Sequence, residues 1–582
     1  MNRRRFLAGS LASAGIAGVG LAATARLAGR APFAPARPAD APLPAPGGDT
    51  ASAGLADRGH RFEAPLARVG RVTGVGTAAR VDVVVVGAGV AGLCAAWRLA
   101  GQGLTVRLLE LWSAPGGTAI AGTGARGPYP WGAHYVTLPG PDAVHVRRIF
   151  RELGVITGFD ADGHPAYDPD ALCLAPEERL WELGTWIEGL WPEAHADADD
   201  HAQRDAWDIL VRDWSARVGA DGKPAFTLPI ARCSADPAIR ARAGVSFATW
   251  LDTQGLTAPA LRWWLEYATR DDYGASLADT SAWAGLHYFC ARRPDPADAR
   301  DLGTHVLTWP AGNGRLVDQL VPRAGVPVET GAIVRAVDVS DGGVRVWVET
   351  IPAPMAGPPA DNEAAALPGA APYAIDAAAV ILAVPTRLAR RLLAAGGRDL
   401  LDPAASSIVI PDQSPWRVAQ LQVSRLPFAR GVPTAWDSVV YGASSLGYVT
   451  STHQAGNYGG PSVLSWYEPL LGNPADARRA LLGETWEQGR DHVLDDLSAS
   501  HPDLLDVLER LDVWHWGHGT AIPAPGLHVP GVLERLQTLH PRVHLAHTDL
   551  SGVSLFEEAS FHGLRAAEAV LSLLGRRGES WL

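Results

Sequence analysis

Residues 81–111, VDVVVVGAGVAGLCAAWRLAGQGLTVRLLEL, carry the signal from which the rest of the chain can be read. The stretch opens on a largely β-branched apolar run, Val81–Val86, of the kind found in a parallel strand buried on both faces. The run stops at Gly87-Ala88-Gly89-Val90-Ala91-Gly92, beyond which apolar residues recur at helical spacing as far as Leu99. The order predicted is strand, glycine turn, helix. In this pattern Gly87 permits the tight turn, Gly89 lets backbone approach a pyrophosphate, and Gly92 lets the helix pack against the strand. Ala88, Val90 and Ala91 lie at the helix start, where free N–H groups and the helix dipole favour an anion. A second strand, LTVRLLE, ends in Glu110, placed to hydrogen-bond the ribose hydroxyls of an adenosine. Cys94, inside the helix, reads as a small buried side chain.

The whole chain has 582 residues, 47% hydrophobic and 19% charged, which suits a large globular protein of two domains. Its formal net charge of -12 excludes nucleic acid as a partner, because phosphate binding needs concentrated positive charge. Of its 50 Lys and Arg residues only Lys223 is a lysine. Cys94, Cys173, Cys233 and Cys290 are too few and too scattered for a disulfide scaffold or a CxxC zinc site, and no metal is expected. Residues 1–25 read as a signal peptide: basic residues precede an apolar segment rich in Ala, Gly and Leu that ends in Ala23-Thr24-Ala25. Membrane anchoring is the alternative if that segment is not cleaved. Within it Asn2 and Arg3-Arg4-Arg5-Phe6-Leu7 resemble the twin-arginine export signature, which implies a periplasmic or exported protein and the twin-arginine machinery as a partner. Residues 26–80 are rich in Pro, Ala and Gly and read as a tether.

Beyond Glu110 a second glycine pair, Gly116-Gly117, follows in WSAPGGTAIAGTGARGPYPWGAHYV. In this context the chain resembles the flavin amine oxidase and phytoene desaturase superfamily, in which such a pair wraps FAD. The superfamily's arginine before the pair is missing, its place taken by Ala114 or Ser113. Further matches run down the chain in the superfamily's order. VLTWPAGNGRLVDQLV precedes the adenine-contacting strand in VPVETGAIVRAVDVSDGGVRVWVE, with Val334 where the backbone meets adenine. AAAVILAVPTRLARRLL matches a returning strand and helix, and RVHLAHTDLSGVSLFEEASFHGLRAAEAVLSLL the closing motif. There the resemblance puts Asp549 against the ribityl or pyrophosphate group. It puts Glu558-Ala559 and His562-Gly563 at a helix start facing the flavin pyrimidine, with two of those four letters departing from the superfamily's.

The fold implied is α/β: a Rossmann-like FAD-binding domain from residues 81–140, 301–395 and 535–582, and an α+β substrate domain of mixed sheet and helices from 141–300 and 396–534. FAD is expected to be non-covalent, since no cysteine follows Cys290. Gly312-Asn313-Gly314 is not followed by a third glycine, so no separate NADPH domain is expected. Electrons should come from a small-molecule substrate and leave to oxygen or another acceptor.

Nine of the 21 tryptophans fall between Pro141 and Arg300, as core filling or as walls of an apolar or cation-binding pocket. Asp271 and Asp272, in TRDDYGASLADTSAWAGLHYF, read as a solvated helix end or as acids that bind a cationic substrate. A long helix is expected through ETWEQGRDHVLDDLSASHPDLLDVLERL, then a strand in DVWHWGHGTAIPAPG. Trp514, His515, Trp516 and His518 in that strand, with Trp131 and His134 in PWGAH, are the remaining candidates for the pocket wall. Residues 351–373 read as a Pro/Ala-rich surface loop.

Amine oxidases of the superfamily keep a lysine bonded through water to the flavin, but the matching strand here, WRVAQLQV, has none unless Arg417 substitutes. Three readings follow: oxidation of a C–N bond in an amine or polyamine; dehydrogenation of an apolar, isoprenoid-like substrate; or flavin binding without turnover. The catalytic residues are not assigned by sequence.

Overall fold

Val81–Val86 forms strand β1, buried from Val83 onward. It lies inside an eight-stranded sheet, parallel to Val106–Leu109 (β2) on one side and to Ala370–Leu382 (β3) on the other. The computed structural model from which this is described covers residues 76–77, 80–292, 306–350, 370–402, 408–456, 459–537, 539–576 and 578–582. The expected signal peptide, most of the tether and residues 351–369 of the expected surface loop lie outside the described residues.

The long strand β3 joins two halves of this sheet. Its end pairs in parallel with β1 and with Val543–Leu545, while its beginning pairs antiparallel with Gly343–Thr350, itself hairpinned to Ala332–Ser340. Helix α1, Val90–Ala100, follows the glycine turn, and helix α2, Thr386–Ala395, follows β3. Helix α3, Phe556–Leu573, packs on α1 at close range: a Cβ at Gly563 would lie 2.1 Å from the Ala91 carbonyl oxygen. The bare glycine is what allows the two helices to meet.

The second domain is floored by a seven-stranded sheet. Gln413–Val423 (β4), buried along its whole length, pairs antiparallel with Ser462–Pro469 and with Leu508–Ala521 (β5). A helical cluster stands beside it, and Trp207, Trp250 and Trp283 fill the core of that cluster, so these tryptophans serve packing. The long helix expected before β5 is interrupted. Trp486–Ser498 stops short of Pro502, which disfavours helical backbone at His501, and one turn, Leu504–Val507, passes directly into the strand.

Candidate functional site: two adjoining cavities

The glycine turn borders a cavity of about 1800 Å³ that is partly open to solvent. Gly87 holds φ at +97°, and a Cβ there would lie 2.3 Å from the Ala383 carbonyl oxygen, so only glycine fits. A Cβ at Gly92 would lie 1.9 Å from the Gly87 oxygen. Gly89 differs, because an added Cβ would meet nothing closer than 3.9 Å, and the turn shows bare backbone to the cavity. Gly116 and Gly117, both at positive φ, close the loop alongside, with the Gly116 N–H donating to the Ala88 carbonyl (2.9 Å). Glu110 accepts the Ala88 N–H on Oε2 (2.7 Å) and the Trp112 N–H on Oε1 (2.9 Å), while burial pushes its carboxyl up. The acid expected at the ribose is therefore held in place by backbone N–H groups.

Val90, Ala91, Val334 and Ala559 also line this cavity, as expected for cofactor contacts. Four other expected residues do not. Ala88 and Gly92 are buried behind the turn and shape it. Asp549, 1% exposed, accepts the Thr386 N–H (2.7 Å) and the Gln413 amide (2.9 Å) and lies 3.2 Å from His547 Nδ1. These partners hold its carboxyl down at about 2, against the opposing effect of burial, and it is His547 and Thr548 that reach the cavity wall. Glu558 is displaced by helical geometry: at about 100° per residue, neighbours in the first turn of α3 face different ways. Glu557 meets the second cavity and Ala559 the first, whereas Glu558 turns inward to accept the Ile230 N–H (2.7 Å) and the Ser551 hydroxyl.

A dinucleotide such as the expected FAD fits these walls. Besides the bare backbone at Gly89, Gln413 Oε1 is buried on the wall with no protein partner, and such an acceptor calls for a donor from a ligand. Arg387, from the first turn of α2, is the one arginine or lysine lining the cavity among the described residues, and it brings a cation to a wall that would hold a pyrophosphate.

A second cavity of about 1020 Å³ adjoins the first, sharing Thr118, Ala133, Asn313, Trp516, Gly519 and the 554–556 turn. Its walls include Trp416, Trp516, Tyr135, Tyr467 and His134, and its acids are Asp271, Asp272 and Glu557. Asp272 is ion-paired to Arg292. Asp271 accepts only the Tyr135 hydroxyl, at 3.3 Å, and burial, then the neighbouring Asp272, pushes it up to about 7. Near it lie two more acids pushed up chiefly by desolvation, buried Asp437, which accepts the Tyr267 hydroxyl (3.0 Å), and half-buried Glu178. The expected solvated helix end is thus an interior wall. Burial also holds the His134 imidazole down at about 4.

The β5 candidates divide by strand alternation. Trp516 lines both cavities, and its indole N–H donates to the Trp131 carbonyl (2.6 Å). Trp514 and Trp131 stack on each other (4.5 Å) and belong to the core behind the wall. His515 points to the opposite face, 3.0 Å from Glu484, and lines neither cavity. Arg417 lies on that same face, ion-paired to Glu468 and Glu484, so it does not stand in for the missing lysine. His518 lines the first cavity. Asp160, Asp162 and His164 come together in a turn that lines neither. The sequence reading missed Asn313, Gln413, Arg387, Tyr135 and Arg292; of these only Asn313, inside the glycine-flanked turn before a helix, left a local signal.

Fold and cavities together define a two-domain protein, one half a Rossmann-like dinucleotide-binding domain and the other a sheet-rich domain whose cavity opens against it. Residues 85–153 match the family described as an NAD(P)-binding Rossmann-like domain. Solved structures resemble the chain over both domains. They include cyclohexylamine oxidase from Brevibacterium oxydans IH-35A (TM-score 0.58, 16% identity, 86% of this chain and 100% of that one). They also include wild-type putrescine oxidase bound to putrescine (0.58, 18%, 85% and 99%) and a CLA-producing fatty acid isomerase from P. acnes (0.56, 16%, 83% and 97%). At these identities the likeness is one of fold. No curated protein matches the sequence.

Proposed function

We propose that this protein is an exported FAD-dependent oxidoreductase of the amine oxidase type, which oxidises a C–N bond of a small amine and passes the electrons to oxygen or another acceptor. The observation that carries the reading is the charge balance of the second cavity: among the described residues three acids face one cation, Arg292, and that cation is already paired. A buried carboxyl without a counter-charge favours a cationic ligand. Two of the structurally similar proteins are named as amine oxidases, which agrees with that preference. FAD, when bound, supplies the redox chemistry.

The chain's own groups position and shield. Gly132 O can only accept, so the 3.2 Å contact assigns the proton of His134 to Nδ1 and leaves Nε2 with a lone pair. The ring is neutral at physiological pH, because its depressed pKa lies well below it, and it adds no charge that would repel an amine. Trp416, Trp516 and Tyr467 give the second cavity an aromatic wall, which disfavours water beside a bound substrate. No lysine lines either cavity among the described residues, and that one observation favours the second reading, dehydrogenation of an apolar substrate.

Export fits the way the cofactor wall is made. Gly87, Val334, Trp516 and Ala559 meet in one cavity from distant parts of the chain, so a dinucleotide can bind only once folding is complete. The twin-arginine route suggested by Arg3 to Leu7 accepts folded proteins. Among the described residues no helix is long and apolar enough to cross a membrane.

The test is direct. The purified protein should show a flavin spectrum that small amines bleach anaerobically and denaturation releases into solution. Bleaching by apolar compounds alone would favour the second reading, and a colourless protein that binds no FAD would end both.

A further inference from the structure

Five aromatic rings touch one after another, from the wall of the dinucleotide cavity into the interior behind it. Trp112 and Trp516 both line that cavity, with ring centres 5.7 Å apart. Trp516 meets Trp514 at 5.6 Å, and Trp514 stacks on Trp131 at 4.5 Å with the ring planes 24° apart. Tyr129 closes the row, edge-on to Trp131 at 5.2 Å. Trp514 and Trp516 share one face of β5, and Tyr129 and Trp131, likewise two residues apart in the chain, are packed against them. Trp514 and Trp131 line neither cavity, so the row leads away from the cofactor wall.

Indole is among the side chains most readily oxidised by one electron, and tunnelling between rings in contact is fast because its rate falls exponentially with separation. Whether the vacancy then moves on depends on the indole N–H. An oxidised indole is a strong acid, and a base at its nitrogen would take the proton and fix the vacancy there. Trp514 Nε1 is buried with no hydrogen-bond partner, an omission that calls for a reason. The Trp516 N–H donates to the Trp131 carbonyl (2.6 Å), an amide oxygen too weakly basic to remove a proton. Both indoles therefore keep their protons when oxidised, and the vacancy stays mobile. A stacked neighbour stabilises a positively charged ring as an aromatic face stabilises a cation, so the vacancy comes to rest on the Trp514–Trp131 pair.

We propose that Trp516, Trp514 and Trp131 form a one-electron route out of the cofactor cavity, a redox activity separate from the two-electron oxidation of substrate. It rests on the FAD reading above and on neither choice of substrate. Trp516 gives one electron to FAD excited by blue light, Trp514 refills Trp516, and the vacancy is then shared by Trp514 and Trp131. FAD ends with one electron more and the stacked pair with one fewer. No bond breaks and no proton leaves these residues, and without an added reductant the electron later returns to the pair.

The test uses the FAD-loaded protein without substrate. A blue laser flash should produce an oxidised tryptophan, read by transient absorption, that far outlasts the excited flavin. Electron paramagnetic resonance under cold illumination should show that this tryptophan still carries its N–H proton. Trp514→Phe and Trp131→Phe, at matched FAD content, should each shorten its lifetime. If the stacked neighbour stabilises the vacancy as a cation is stabilised, the factor is about tenfold or more. Trp516→Phe should confine the vacancy to the remaining cavity-wall rings, beside the flavin, and return the electron fastest. The parent measurement stands alone if a variant fails to fold. With FAD bound, the absence of a long-lived oxidised tryptophan, or a lifetime unchanged in both Trp514→Phe and Trp131→Phe, overturns the route and leaves the cofactor reading intact. A protein that retains no FAD ends the cofactor reading and the route together.

Discussion

The two cavities share a wall yet are built by opposite means. The dinucleotide cavity is shaped where side chains are missing, at Gly87, Gly89, Gly92, Gly116 and Gly117, and its acid is positioned by backbone N–H groups. The second cavity is shaped by side chains that are present, drawn from segments as far apart as Tyr135, Asp271, Trp416 and Glu557. A surface made of bare backbone recognises what many ligands share, a phosphate and a ribose. Discrimination between substrates has to come from side chains, which is where the chemical individuality of this protein lies.

The largest expected effect separates two glycines within the first cavity. Alanine at Gly92 would place a carbon 1.9 Å from a backbone oxygen that cannot move without opening the turn, so Gly92→Ala should cost about 4 kcal/mol or more and leave little folded protein. Gly89 has φ −70° and open space ahead of it, so Gly89→Val should alter apoprotein stability by less than about 1 kcal/mol yet abolish FAD retention. Chemical denaturation of the apoproteins and flavin absorbance after gel filtration check both. A Gly89→Val protein that keeps FAD would mean the pyrophosphate does not pass over this turn.

The shared wall comes next in size. Trp516 meets Trp112 and Trp514 ring to ring (5.7 and 5.6 Å) and carries a hydrogen bond to Trp131. Trp516→Ala should cost about 3 kcal/mol and weaken both FAD and substrate binding, because it merges the cavities and admits water. Trp516→Phe keeps the ring and loses only the N–H, so it should cost about 1 kcal/mol and preserve the separation. Equal losses in the two variants would show that the hydrogen bond, and not the partition, is what matters.

How much was legible follows the same division. The strand, turn, helix and Glu110 could be read because each sits at a fixed offset from its neighbours and obeys a steric rule local to thirty residues. Val334 and Ala559 could be placed by resemblance and do reach the cavity wall. Asp271 and Asp272 stand out in the sequence, but whether they face water depends on a sheet and helices from elsewhere in the chain closing over them. His515 illustrates a rule that was available: in a strand with Trp514 and Trp516 on one face, the residue between them faces the other way. Arg292, Tyr135 and Gln413 gave no local sign, since their roles exist only after distant segments meet. The break before β5 was written in Pro502, which the apolar pattern around it obscured.

Below the loss expected for Trp516→Ala, and more diagnostic, is the effect of Asp549, an acid expected in the cofactor site that instead braces it. Its pKa, lowered from 3.8 to about 2, is worth about 2 kcal/mol of folding stability. For an acid with a depressed folded-state pKa, that contribution is present above pH 4 and disappears as pH falls through 2. Asp549→Asn should therefore cost about 2 kcal/mol at neutral pH, with the gap to the parent closing toward pH 2. Glu558 sets the opposite slope. Its folded pKa, raised to about 7 chiefly by burial, makes it a group that loses stability as pH rises from 4.5 to 7, and that limb should survive in the Asp549 variant. If Asp549 is a brace, FAD affinity in Asp549→Asn should fall only through His547, which rests on it and lines the cavity, by much less than in Gly89→Val. An apoprotein of parental stability with FAD binding abolished would instead make Asp549 a direct ligand, and side chains would then share the work of the backbone-built cavity.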